Sequence, residues 1–168
     1  MCGFAGFFEG KVGVTADLNV NGNVNVQGDV QLVGADLAEE FAVVGDVPIE
    51  AGHVVVLAGD DMVELSQKPY DRAVAGVVSG AGGYRPALVL DKRSDASRRA
   101  LALSGKVWCM VDADSGPVEV GDLLTTSSTP GHAMRASDER RAFGAVIGKA
   151  LGSLTSGRAL LPVLVALH

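Results

Sequence analysis

The chain is poor in the residues that staple or catalyse. Of 168 residues only two are cysteine, Cys2 and Cys109, far apart and without a CxxC pair or a Cys/His cluster, so they give no basis for a zinc site. Cys109 lies in an apolar, strand-like run and reads as a small core residue. Histidine occurs singly at His53, His132 and His168, with no metal-binding pair at helical spacing, and no metal or cofactor is implied. Aromatic residues are 5% of the chain; beyond the phenylalanines only Trp108, Tyr70 and Tyr84 are available, so platforms for stacking sugars are scarce. Basic residues are outnumbered 14 to 20, a net charge of −6, which leaves no face for phosphate backbones and argues against nucleic acid as a partner. The opening run MCGFAGFFEG is apolar but too short to span a membrane. It also lacks the basic start of a signal peptide, so neither membrane insertion nor secretion by the general route is expected.

What the chain does have is valine and glycine. Long helical patterns are sparse, and the expected class is all-β. The 22 glycines are about twice the usual share but form no collagen-like triplets, so they serve turns. From Gly10 to Gly34 the residue types recur every six positions: Gly10, Gly22, Gly28 and Gly34 mark the beat, with Ala16 standing in once. The third and fifth places of each hexad are aliphatic, namely Val12 and Val14, Leu18 and Val20, Val24 and Val26, and Val30 and Leu32, with small or polar residues such as Asn19 and Asn25 between them. That is the pattern of very short strands stacked along an axis; a helix needs spacings of three and four. It also suits an antiparallel meander turning at Asn21-Gly22. Four hexads offer one narrow apolar face and nothing to cover it, so the cover must come from the following domain or from the same stripe on neighbouring copies.

Phe4, Phe7 and Phe8 gather just before the hexads, where an exposed cluster would be sticky and burial between chains is favoured. After them, residues 36–41 (DLAEEF) read as a short helical turn capped by Asp36, a junction between two parts. Strands are expected at 53–57, 62–65, 73–79, 87–90, 100–102, 107–111, 122–126, 132–136, 142–147 and 160–167, with the charged run 91–99 as a solvated loop. An ungapped shift of 69 sets Ile49-Glu50-Ala51-Gly52 over Val118-Glu119-Val120-Gly121, Leu65 over Met134, Arg72 over Arg141 and Val77-Val78 over Val146-Ile147. Two such units suggest a compact β-barrel or double-layer domain with an internal duplication, its halves at about 47–80 and 116–149.

Four places in the chain bear residues of chemical interest. Ser104 and Lys106 share a strand face, as a nucleophile and its base would, but the spacing is common by chance. Thr125, Thr126, Ser127, Ser128 and Thr129 form a candidate binding loop for hydroxylated ligands, or a plain strand end and Pro-Gly turn. Gly80-Ala81-Gly82-Gly83 lacks the Lys-Ser/Thr and helix of a phosphate loop, and Asp112, Asp114 and Asp122 match no calcium-loop spacing. No catalytic residue is assigned.

Taken together, AGFFEGKVGVTADLNVNGNV near the start, KPYDRAVAGVVSG, ALSGKVWCMVDADSGPVEVGDLLTTSSTPGHAM and FGAVIGKAL resemble the C-terminal region of phage tail-fibre-like proteins encoded in bacterial genomes. The resemblance spans nearly the whole chain, although this one begins at Met1-Cys2 where the others carry long repeats. It implies a structural fibre or spike end: a hexapeptide-repeat stalk (1–34), a junction (35–42) and a β-rich head (43–168). Such an end would be a homotrimer assembled through the eight hexad aliphatics, part of a virion, phage-tail-like particle or extracellular fibre, presenting its head to other particle components and a cell-surface receptor. Self-processing as an intramolecular chaperone and sugar binding are the alternative expectations.

Overall fold

A computed structural model describes residues 6, 8–93, 95 and 97–167; Cys2, Phe4, Phe7 and His168 lie outside them. The chain divides into two compact units, Met1–Gln31 and Leu32–His168.

In the first unit no described residue joins a strand or helix. The backbone bends instead at six-residue intervals, at 15–16, 21–22 and 27–28, on the beat of the hexads. With no ladder to satisfy them, the backbone N–H and C=O groups of the hexads are left to water or to another chain.

The second unit is all-β. Its strands are β1 (Asp36–Val43), β2 (Val54–Gly59), β3 (Met62–Leu65), β4 (Val74–Val78), β5 (Pro86–Leu90), β6 (Arg98–Asp112), β7 (Leu123–Thr126), β8 (Ala133–Arg135), β9 (Val146–Ala150) and β10 (Arg158–Ala166). One short helix, α1 (Glu139–Ala142), is capped by the Asp138 carboxylate, which accepts the N–H groups of Arg140 and Arg141. The ten strands form one continuous sheet in the order β10-β9-β7-β8-β6-β4-β2-β3-β1-β5, and two further pairings, β6 with β1 and β6 with β10, close it on itself twice. The result is two five-stranded rings that share β6, with β5 hung on the outer edge of β1.

The two rings have one topology. In the first, β1 runs parallel to β3, β3 antiparallel to β2, β2 antiparallel to β4, β4 antiparallel to β6 and β6 antiparallel to β1. In the second, the distal part of β6, β8, β7, β9 and β10 repeat that sequence of pairings. β6 therefore ends one ring and begins the next: residues 98–105 pair with β1 and residues 104–112 with β10. At the handover stands Gly105, with φ of 108°, whose missing Cβ would lie 2.5 Å from the Ala35 carbonyl oxygen, so no other residue passes there unstrained.

Matching detail extends to single hydrogen bonds. Gly52 and Gly121 turn with φ of 94° and 93°. The N–H of His53 donates to the Glu50 carbonyl and that of Asp122 to the Glu119 carbonyl. Gly52 N–H reaches Val78 O where Gly121 N–H reaches Ala150 O. Across the sheet Val55 faces Gly76 as Leu124 faces Gly148, with a register irregularity following in both pairs. The shift is thus 69 residues for β2 onto β7, 70 for β3 onto β8 and 72 for β4 onto β9, which corrects the ungapped alignment: Leu65 corresponds to Arg135, Val74 to Val146 and Gly76 to Gly148, one residue being added between β7 and β8 and two in the segment holding α1.

Packing explains why the strands of the first ring read as unbroken apolar runs rather than alternating ones. Val55, Val78 and Leu101 point into a cluster with Ile49, Val63 and Leu65, while their neighbours Val54, Val77 and Ala102 join Val107, Val111, Leu124, Ile147 and Val163 in the other cluster. Both faces of β2, β4 and proximal β6 are covered, as in sheets buried on two sides.

Three local expectations give way to long-range pairing. Residues 36–41 form a strand, not a helical turn, because β6 lies along one edge and β5 and β3 along the other, and Asp36 is buried rather than capping. The strands expected at 100–102 and 107–111 are one, since Gly105 redirects β6 without ending it. The charged run 91–99 is not solvated throughout: Arg98 is buried and its guanidinium donates to both Asp61 carboxylate oxygens at 2.8 and 2.9 Å and to Asp91 at 3.2 Å.

Candidate functional site

The eight hexad aliphatics are between 47% and 74% exposed, although residues of this type are buried in most soluble chains. In every pair the third-place residue is more exposed than the fifth: Val12 over Val14, Leu18 over Val20, Val24 over Val26 and Val30 over Leu32. Each hexad therefore repeats one environment.

Within the head, the candidate hydroxyl loop turns inward. Thr125, Thr126 and Ser127 are fully buried. Thr125 Oγ1 donates to the Ala145 carbonyl at 2.7 Å, Thr126 Oγ1 accepts the Asp71 N–H at 2.8 Å, and Ser127 Oγ accepts the Thr129 N–H at 3.1 Å. The Thr129 hydroxyl donates to Asp112 Oδ2, leaving Ser128 as the exposed member of the five. These hydrogen bonds tie β7 to the first ring through Asp71 and to β6 through Asp112, so the hydroxyls hold strands together.

Asp112 is enclosed by the same contacts. Burial works to raise its pKa, but the Thr129 hydroxyl, the Asp114 N–H and the Arg158 guanidinium hold it below the usual carboxylate value. Arg158 also meets Asp114, at 3.3 Å, and Asp122 pairs instead with Arg135 at 3.7 Å. The three aspartates do not converge, and no group of three or more His, Cys, Asp or Glu suited to a metal occurs among the described residues.

Ser104 and Lys106 are both exposed on β6, and the Lys106 ammonium lies 5.4 Å from the centre of the Tyr84 ring, which in turn packs on Trp108 with ring centres 5.9 Å apart. Lys106 is thus engaged with an aromatic face. The Cys109 thiol is fully buried, which pushes its pKa up to about 12 and removes it as a nucleophile. His53 Nδ1 accepts the Glu50 N–H at 3.2 Å, and the Asp122 carboxylate accepts the Glu119 N–H at 2.9 Å in the equivalent place of the second ring. His132 Nδ1 is 2.8 Å from the Pro130 carbonyl. Each of these histidines is part of a turn.

Two features were not read from the sequence. Val33 is fully exposed immediately after the last hexad pair, and beside it an apolar recess of about 380 Å³ is lined by Leu32, Leu37, Ala87 and Leu88 together with Asp36. The recess depends on the parallel pairing of β1 with β5, which no local pattern announces. Asp36 donates nothing and accepts the Ser79 hydroxyl on Oδ1 at 3.0 Å, while Oδ2 is buried without a partner. Burial raises its pKa, an effect the Ser79 hydrogen bond opposes.

No protein-family model matches the chain, and no curated protein matches it. Among solved structures it is similar to the N base of head fiber gp8.5 in bacteriophage phi29, at 17% identity over 79% of this chain and 90% of that one, with a TM-score of 0.36. The fold rests on the chain's own pairings: an all-β head of two like rings. No helix among the described residues is long and apolar enough to cross a membrane.

Proposed function

We propose that the chain is a structural, non-catalytic fibre or spike-end protein whose copies assemble through the hexad stripe and carry the double-ring head at the end of the stalk they form. One observation carries this reading: eight aliphatic side chains, spaced by backbone bends at six-residue intervals, stand exposed with no ladder partner among the described residues. A set of identical stripes around one axis gives each chain the missing layer and pairs its free backbone groups. Three is the number we assign, with the head as the contact surface for a receptor or other particle components.

The driving force is apolar burial. Covering the exposed remainder of eight such side chains contributes roughly 7–10 kcal/mol per chain before ordering costs are subtracted, enough to support a stable oligomer. Sedimentation of the full chain tests the reading: a trimer supports it, and a monomer at micromolar concentration removes it.

A further inference from the structure

At the entrance to the head a knob and a hole stand side by side. Val33 projects wholly into solvent, and next to it lies the recess between β1 and β5. The segment before β1 is pinned there: a Cβ on Gly34 would lie 2.4 Å from the Ala87 Cα, so chain and β5 touch backbone to backbone. Beyond the recess, β5 has no neighbour on its outer edge among the described residues, and its Leu88 and Leu90 are exposed. An edge strand of sequence PALVL with exposed leucines is a pairing surface unless something covers it.

The second ring shows that β5 is additional to the fold. There the chain passes from β9 to β10 through residues 151–157, whereas the first ring inserts residues 79–97, including β5, between β4 and β6. Closure of a ring does not require this strand.

We propose that Val33 of one copy seats in the β1–β5 recess of the next copy, so that the assembly begun by the hexads continues into the base of the head. This rests on the hexad reading, which places the neighbouring copy's Val33 segment at the same level of the axis. Knob and hole are different surfaces, so the contact is head-to-tail, and repetition around the axis closes it into a ring. The occupant is a second copy of this chain, because Leu32, the last aliphatic of the hexads, itself lines the recess and the exposed Val33 follows it directly in the chain.

The test uses full-length chains carrying Cys2→Ser. Untagged Val33→Cys chains are co-expressed with affinity-tagged Leu88→Cys chains, oxidised mildly, and analysed by sedimentation and by mass on non-reducing gels. The expected result is an oligomer in which a tagged and an untagged chain are joined by one reducible bond, with Val33→Cys alone and Leu88→Cys alone remaining uncross-linked. An oligomer that forms the Val33→Cys homodimer, or no cross-link at all, overturns the seating and leaves the hexad reading in place. A monomer overturns both. As a second measurement, Val33→Asp in the full chain is expected to raise amide exchange in β5 at least tenfold while the oligomer's mass is retained; unchanged β5 exchange with retained mass contradicts the seating.

Discussion

Replacing Val24 and Val26 together by aspartate should separate the copies without disturbing the head. The two side chains are 69% and 52% exposed in the single chain. Complete burial of a valine is worth about 1.5–2 kcal/mol, so covering what remains exposed contributes roughly 2 kcal/mol per chain, or about 6 kcal/mol for three chains on one axis. Aspartate removes that contribution, and each carboxylate held on an apolar axis without a partner costs several kcal/mol more. Since about 1.4 kcal/mol is a factor of ten, the association constant should fall by four decades or more. Sedimentation velocity at micromolar concentration reads the change as loss of the oligomer boundary, and circular dichroism should show the β spectrum of the head retained. Asn25→Asp is the matched control, placing the same charge one residue away at a position the pattern turns to water, and it should leave the mass unchanged. If the double variant sediments as the wild type does, or if Asn25→Asp dissociates the oligomer equally, the stripe is not the interface.

Further outcomes follow from the head. Gly148→Ala places a Cβ 2.1 Å from the Leu164 carbonyl oxygen at φ of 157° and should prevent normal folding, whereas Gly121→Ala meets open space and should cost only about 1 kcal/mol for its left-handed turn, as read by denaturant melts. Burial lowers the His53 pKa, the neighbouring Glu50 opposing and His132 reinforcing it; the unfolded chain therefore takes up the proton first, and stability should decline as pH falls below about 6.5 towards the folded value. His53→Asp should reduce that slope in melts between pH 7.5 and 5.5 and keep the turn, because Asp122 fills the equivalent place. Arg98→Met should lower the melting temperature at neutral pH and narrow the difference from wild type in acid: the Arg98 hydrogen bonds hold the Asp61 pKa down, and that contribution is present above the unfolded carboxylate value near 4 and lost as pH falls through the folded one.

The all-β class was legible because valine and glycine leave little else, and β2 and β3 were legible from short apolar runs bounded by Gly and Asp turns. β1 was not: DLAEEF has the acids and leucine of a helix start, and only its long-range neighbours β3, β5 and β6 make it a strand. Gly105 reads as a breaker in sequence, yet its freedom is what lets β6 serve both rings. The repeat was visible at its most constrained points, the Gly52 and Gly121 turns, and misaligned from β8 onward because one added residue between β7 and β8 and two in the α1 segment shift the register. The hexads announce themselves, since a six-residue period needs no tertiary knowledge to see. The β1–β5 recess beside Val33 could not be foreseen, as it arises from strands joined across some fifty residues of chain.

Assembly through the stripe is tested most directly by the mass of the native, full-length protein in solution, measured by sedimentation equilibrium over a range of micromolar concentrations. A single species near three times the 17.2 kDa chain is the expected result. A species of one chain mass across that range would contradict it.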